Sequence, residues 1–366
     1  MIYLAGMDDS GPGVIRRFIL PGLFVLALFI ALYARRPDPS DIQHTVSLSG
    51  PTMGTTWNVT VVVPQLPPKL RSTLKAAIET SLERVNESMS TYRPQSELSV
   101  FNSRRSVEPF AASSGLRFVL QRAHHISERT AGAFDVTIGP LVNAWGFGPQ
   151  GRRESPKVSE LAALRDSVGY QKLVRDDAKK TIQKTHTDLY VDLSSIAKGY
   201  GVDQVAAALD GLGIARYLVE VGGEVRARGL NDRRVPWRLG IEKPVDGERG
   251  IQEVIALDDR AMATSGDYRN FREEGGVRVS HTIDPRTAQP ISHMGASVTV
   301  VAETCVDADG WATALNVLGP VEGRKLAEGE GLAALFLVKG PHGTFHEEAT
   351  TAFTALRKAS SRAPSE

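Results

Sequence analysis

Asp309 and Thr313 stand four residues apart in CVDADGWATALNVLG, residues 305–319. On a helix that spacing puts both on one face. A carboxylate oxygen and a hydroxyl oxygen together suit a hard cation such as magnesium or calcium. The same residues also suit an ordinary helix start, with Asp307 or Asp309 as N-cap and Thr313 bonding back to a carbonyl. The motif alone leaves both readings standing.

Two further stretches have reactive types at useful spacings. LYVDLSSIAKGYG, residues 189–201, reads as a strand, a short turn and a helix start. The backbone N–H groups of such a start favour an anion, and Lys198 adds a full positive charge. Asp192 stands at the strand end, where it can meet a nucleotide hydroxyl, face a metal or simply cap the helix. RVSHTIDPRTAQP, residues 278–290, sets His281 within an expected strand. A histidine among polar neighbours can act as a general base, or be structural. The loops TMGTTW, MSTYRPQSELSVFN, GAFDVTIGPLVNAWGFG and MATSGDYRNF each mix glycine, small hydroxyls and an aromatic. Such loops let backbone approach a planar ligand, with Tyr92, Phe134, Trp145 or Tyr268 as the apolar wall. EVGGEV has a glycine pair but no helix after it, so it fails the dinucleotide fingerprint.

These residues need elements to hold them. In TTWNVTVVV, residues 55–63, Trp57, Val59, Val61 and Val63 alternate and predict a strand. Leu70, Leu74, Ile78, Leu82 and Val85 recur at three or four residues and predict an amphipathic helix. SSGLRFVLQRAHHISERTAG predicts another, capped by Ser113 or Ser114 and stopped near Gly132; His124 and His125 read as its surface. SELAALRDSVG is a third, and SSIAKGYGVDQVAAALDGLG, residues 194–213, is a long fourth. KLVRD, DLYVDL, ARYLVEV, EVRARG, WRLGIEK, QEVIALDD, VRVSHTI and ASVTVVAE read as strands, most with short connections that favour antiparallel pairing. The expected fold class is α+β, with largely antiparallel or mixed sheets and packed helices.

Composition removes several function classes. Lys and Arg number 43 against 42 Asp and Glu, so there is no basic excess of the kind nucleic-acid binders show. The single cysteine, Cys305, rules out an internal disulfide framework and any multi-cysteine metal site. In RRFILPGLFVLALFIALYARR an apolar run from Phe18 to Ala34 lies between arginine pairs. Seventeen residues is short for a membrane span and long for a signal-peptide core. A retained signal anchor is the expectation, against a cleaved signal or a buried helix. The expected organisation is an anchor at 1–36, a linker at 37–45, one globular domain at 46–350 and a polar tail at 351–366.

Taken in order, GPTMGTTW, MSTYRPQSELSVFN, GAFDVTIGPLVNAWGFG, VDLSSIAKGYGVD, VEVGGEVRARG, TSGDYRNF, SHTIDPRTAQP and DADGWATAL closely resemble the ApbE family, the FAD:protein FMN transferases. The resemblance covers roughly residues 46–340. It implies an ApbE-like fold and a magnesium-dependent transfer of the FMN half of FAD to a threonine or serine of a target protein, with release of AMP. An FAD pyrophosphatase releasing FMN and AMP, or a non-catalytic flavin-binding module, is the alternative. By the same resemblance, Asp309 and Thr313 fall at metal-binding positions, and Ser195 where a backbone carbonyl meets the same ion. Met53, Tyr92, Ala133, Phe134, Asp135, Asp192 and Lys198 fall at FAD-contacting positions, and His281 at that of the proposed base. The implied setting is the outer side of the cytoplasmic membrane, with an acceptor protein from a membrane redox complex or flavin carrier as partner. Many family members have a lipid-anchor cysteine after the signal, and this chain has none.

Overall fold

The computed structural model describes residues 23–26, 28–29, 43–148, 151, 154–245, 250–266, 271–274, 277–341 and 344–362. Most of the expected anchor, most of the linker and the Tyr268 loop tip lie outside the described residues. Residues 23–26 and 28–29 are helical. Among the described residues no helix is long and apolar enough to cross a membrane.

The centre is one eight-stranded sheet: β1 (His44–Thr52), β2 (Thr55–Val63), β3 (Tyr217–Val221), β4 (Glu224–Arg228), β5 (Ala261–Gly266), β6 (Gly295–Ala302), β7 (Ala333–Lys339) and β8 (Phe345–Ala349). The strands lie side by side in chain order, each antiparallel to the next. The helices and minor hairpins between β1 and β8 are therefore excursions between neighbouring strands, and one further helix, Thr351–Arg362, follows the last strand. The class is α+β as expected, and every strand pair described is antiparallel.

Both faces of the sheet are covered. On one, helix α1 (Leu70–Met89) buries Leu74, Ile78, Leu82, Val85 and Met89. Each such side chain contributes roughly 1.5–3 kcal/mol. Helices α2 (Glu97–Ser103), α3 (Ser114–Arg129), α4 (Gly139–Ala144) and α5 (Val158–Arg165) follow, then α6 (Ala197–Gly211) and α7 (Cys305–Gly329). Ser113 caps α3, accepting from the Leu116 N–H. On the other face, the hairpin Trp237–Glu242/Ile251–Leu257 and helix α8 (Thr351–Arg362) close over Val62, Met262, Val301, Leu335 and Leu337. Burial on both sides is why β7 reads as a continuous apolar run instead of an alternating one, and why even Ser297 and Thr299 of β6 are buried.

Three expectations change. DLYVDL is no strand: residues 189–193 belong to no helix or sheet. Leu189, Val191 and Leu193 are fully buried, which explains the alternation. The amide of Asn102 takes the place of a neighbouring strand, donating to Val191 O and accepting from Val191 N, both at 2.8 Å. The strand Val277–Ser280 ends one residue before His281. Finally, most of the expected polar tail is helix α8, held by fully buried Phe353 and by Arg357, which pairs with Glu253 and, at 2.7 Å, with Glu347.

Candidate active site at the junction of two helices

Helix α7 starts with a side-chain cap. Thr304 is the N-cap, its hydroxyl accepting from the Asp307 N–H and donating to the Asp307 carboxylate at 2.7 Å. Arg122 of α3 holds Asp307 from outside at 2.7 Å. Asp203 of α6 takes two more free N–H groups of this helix start, from Cys305 at 3.0 Å and Val306 at 2.9 Å. The helix start is thus satisfied without Asp309, so Asp309 is not a cap.

Asp309 instead lies one turn in, 4% exposed, against α6. Its Oδ2 accepts from the Gly199 N–H at 2.9 Å. Gly199 makes this approach possible: a Cβ there would lie 2.3 Å from Cys305 O and 2.8 Å from Asp309 Cβ. One turn further along α7, Thr313 Oγ1 sits 3.5 Å from the carbonyl oxygen of Ser195. Thr313 does reach a carbonyl, but across the helix junction, not within its own helix. As a hydrogen bond, 3.5 Å is at the weak limit. Two oxygens bound at about 2.1–2.5 Å to one cation, at right angles, lie roughly 3–3.5 Å apart.

The charge count points the same way. Lys198 Nζ lies 2.9 Å from Glu224 Oε1 and 3.7 Å from Asp309 Oδ1. Burial pulls the Lys198 ammonium down, but Asp309 and Glu224 pull it up, and the carboxylates win. Burial pushes Asp309 up; Lys198 and the Gly199 N–H oppose it without cancelling it. Burial also raises Glu224, with Lys198 opposing and Asp309 adding to it. Two buried carboxylates share one ammonium, so the ionised cluster lacks one positive charge. Among the described residues no three His, Cys, Asp or Glu side chains group as ligands. The available donors are one carboxylate, one hydroxyl and one backbone carbonyl, a hard-oxygen set into which a divalent cation fits both by spacing and by charge.

The other candidates gather around this junction to different degrees. Met53 and Gly54 form the two-residue turn between β1 and β2, both with positive φ (47° and 72°), as a type I′ hairpin turn requires. Met53 Cε packs at Gly201 of α6, 3.0 Å from where a Cβ would stand. The turn also borders a cavity of about 620 Å³ lined by Thr52, Thr55, Leu82, Asn86 and Arg93 among others. Asp192 Oδ1 accepts from Ser194 N at 2.9 Å, an Asx turn that leads the chain into α6. Its backbone N–H donates to Val136 O at 2.7 Å, which docks the Ala133–Asp135 run beside it. Tyr92 is 70% exposed. It neighbours Tyr190, whose phenol burial pushes up, with Asp192 adding to the rise.

Ala133 and Phe134 turn their side chains into the core, 1% and 2% exposed. Asp135 is buried too, its oxygens accepting from Thr137 N (2.8 Å), Thr137 Oγ1 (2.7 Å) and Tyr170 N (2.7 Å). What this run offers a ligand is therefore backbone. His281 is half-buried, its ring edge-on to Phe147 at 6.4 Å between centroids. The next residue, Thr282, meets Asn316 of α7 at 3.5 Å, three residues past Thr313. The His281 loop thus leans on the helix that holds Asp309.

Sequence reasoning missed Glu224 and Asp203. Both had a signal: Glu224 is the charged residue after the glycine pair of EVGGEV, and Asp203 interrupts an apolar helix face. Neither signal names a partner until the helices pack.

The pattern of known proteins now decides the family. The ApbE family profile matches residues 53–336. The chain belongs to the ApbE family. The FAD:protein FMN transferase of Vibrio cholerae is 49% identical over 326 residues, covering 88% of this chain and 95% of the relative. The Haemophilus influenzae FAD:protein FMN transferase is 42% identical, covering 92% and 98%; that of Escherichia coli K12 is 38% identical, covering 88% and 93%. Among solved structures, the flavin transferase ApbE of Vibrio cholerae superposes with a TM-score of 0.79 at 47% identity, covering 86% of this chain and 99% of that one. The apo flavinyl transferase ApbE of Pseudomonas stutzeri gives 0.79 at 39% identity, covering 86% and 97%. This ApbE-family match spans every element that builds the helix junction, from the Met53 turn to β7.

Proposed function

We propose that this protein is an FAD:protein FMN transferase that moves the FMN half of FAD onto a threonine or serine hydroxyl of an acceptor protein and releases AMP. The observation behind this is the meeting of Asp309, Thr313 and the Ser195 carbonyl at the α6–α7 junction of an ApbE-family chain. Those three would hold magnesium, which when bound supplies charge neutralisation for the pyrophosphate oxygens and the departing AMP.

The acceptor oxygen forms a bond to the flavin-side phosphorus, and the bond from that phosphorus to the bridging oxygen breaks. AMP departs with that oxygen and its electron pair. His281 takes the hydroxyl proton, directly or through a water. Lys198 lies in the first turn of α6 and offers its ammonium to phosphate. Met53, Tyr92, the backbone of Ala133–Asp135 and Asp192 border the path along which the dinucleotide would lie. The apolar run Phe18–Ala34 supports tethering to the cytoplasmic membrane; with arginine pairs at both ends of the run, the outer-side placement of this domain is taken from the family likeness and not from charge.

The test is mass spectrometry of a threonine-bearing flavin-carrier protein incubated with the enzyme, FAD and magnesium. The expected result is a mass gain of one FMN and an equal release of AMP. Free FMN with an unmodified carrier would mean a hydrolase. FAD bound without turnover would mean a binding module.

A further inference from the structure

Glu224 borders the proposed cation site without being one of its ligands. It opens β4 directly after the Gly222–Gly223 turn, opposite Val221 in register, so its backbone is fixed by the sheet. It is 4% exposed. One carboxylate oxygen lies 2.9 Å from Lys198 Nζ; the other is buried and has no hydrogen-bond partner. A carboxylate half-satisfied in the interior is costly, and a purely structural role would be better filled by a neutral side chain.

We propose that Glu224 is a positioning residue for the cation site, holding the Lys198 ammonium off Asp309 so that a divalent cation can take that carboxylate. The asymmetry of the two contacts is the basis: Lys198 sits 2.9 Å from Glu224 but 3.7 Å from Asp309. The lysine stem runs beside the Gly222 turn that leads into Glu224: a Cβ on Gly222 would come 3.3 Å from Lys198 Cδ. Without the Glu224 charge, the carboxylate left to Lys198 among the described residues is Asp309. The ammonium then competes with the cation for the same oxygen, and the net charge of the site rises by one. Both changes weaken cation binding.

This rests on the cation lying at Asp309, Thr313 and Ser195. The experiment uses the full-length chain without FAD, titrated with Mn²⁺ and followed by electron paramagnetic resonance, with circular dichroism as the check on folding. Wild type is expected to bind Mn²⁺, Glu224→Gln at least about tenfold more weakly, and Lys198→Met more tightly than wild type. The double variant Glu224→Gln/Lys198→Met is expected to recover affinity to near wild type, because the competitor is gone; a merely structural glutamate would not be rescued this way. If folded Glu224→Gln binds Mn²⁺ as wild type does, or the double variant stays as weak as Glu224→Gln, the proposal is overturned. Should Glu224→Gln fail to fold, Lys198→Met alone decides: tighter binding supports the competition, and equal or weaker binding overturns it. No Mn²⁺ binding by wild type would overturn this inference and the cation reading together.

Discussion

Asp135 and Asp309 are both buried carboxylates within motif runs, 7% and 4% exposed, yet their surroundings differ in kind. Asp135 accepts three short hydrogen bonds, from Thr137 N, Thr137 Oγ1 and Tyr170 N. Asp309 accepts one, from Gly199 N, and has a shared ammonium at 3.7 Å. Burial raises both acids, but at Asp135 the opposition comes mainly from its own loop and at Asp309 from the Lys198 charge. A carboxylate saturated by neighbouring donors is a structural hub. One buried with unused lone pairs is held ready for something positive. The lesson is to count acceptor capacity left over, not burial.

That contrast breaks if the two aspartates respond alike to truncation. Asp309→Ala is expected to have the largest effect, a loss of magnesium-dependent turnover by roughly a thousandfold or more, with the fold intact. Single-turnover flavin transfer alongside circular dichroism checks it; near-normal turnover would remove Asp309 from the cation site. Asp135→Ala is expected to act on stability, costing about 2–4 kcal/mol because it leaves three donors unpaired. Urea denaturation reads this, and an unmoved midpoint would show that the loop does not depend on its aspartate. Thr313→Val sharpens the comparison with the smallest change. It keeps the shape, removes one neutral oxygen, and should weaken the magnesium dependence of turnover by about tenfold to a hundredfold. A magnesium titration of rate with no shift would leave Thr313 as a spacer only.

How far the sequence revealed this site follows the range of each interaction. The shared face of Asp309 and Thr313 was legible because a four-residue spacing is local to one helix. Helices α1 and α3 were legible for the same reason, through their apolar period. Glu224 was not, since its contact with Lys198 arises only when β4 and α6 pack together. Nor was the rejection of Asp309 as a cap, because it depends on Asp203 reaching across from another helix. DLYVDL misled because its buried alternation is real while its partner is the Asn102 side chain, which leaves no strand pattern to find. β7 went unread because a run buried on both faces has no period to detect.

The in-order sheet has a consequence for how such a site comes into being. β2 and β3 are adjacent, yet the chain between them makes its longest detour, residues 64–216, and Lys198 lies near the end of that detour while Asp309 waits in a later one. Closing so long a loop carries an entropic cost, which grows only slowly with its length. A nascent or nicked chain in which the detour stays open could still zip β4 to β8 together while possessing no reactive centre at all. A centre assembled from two separate excursions thus exists only where both have docked against the same sheet.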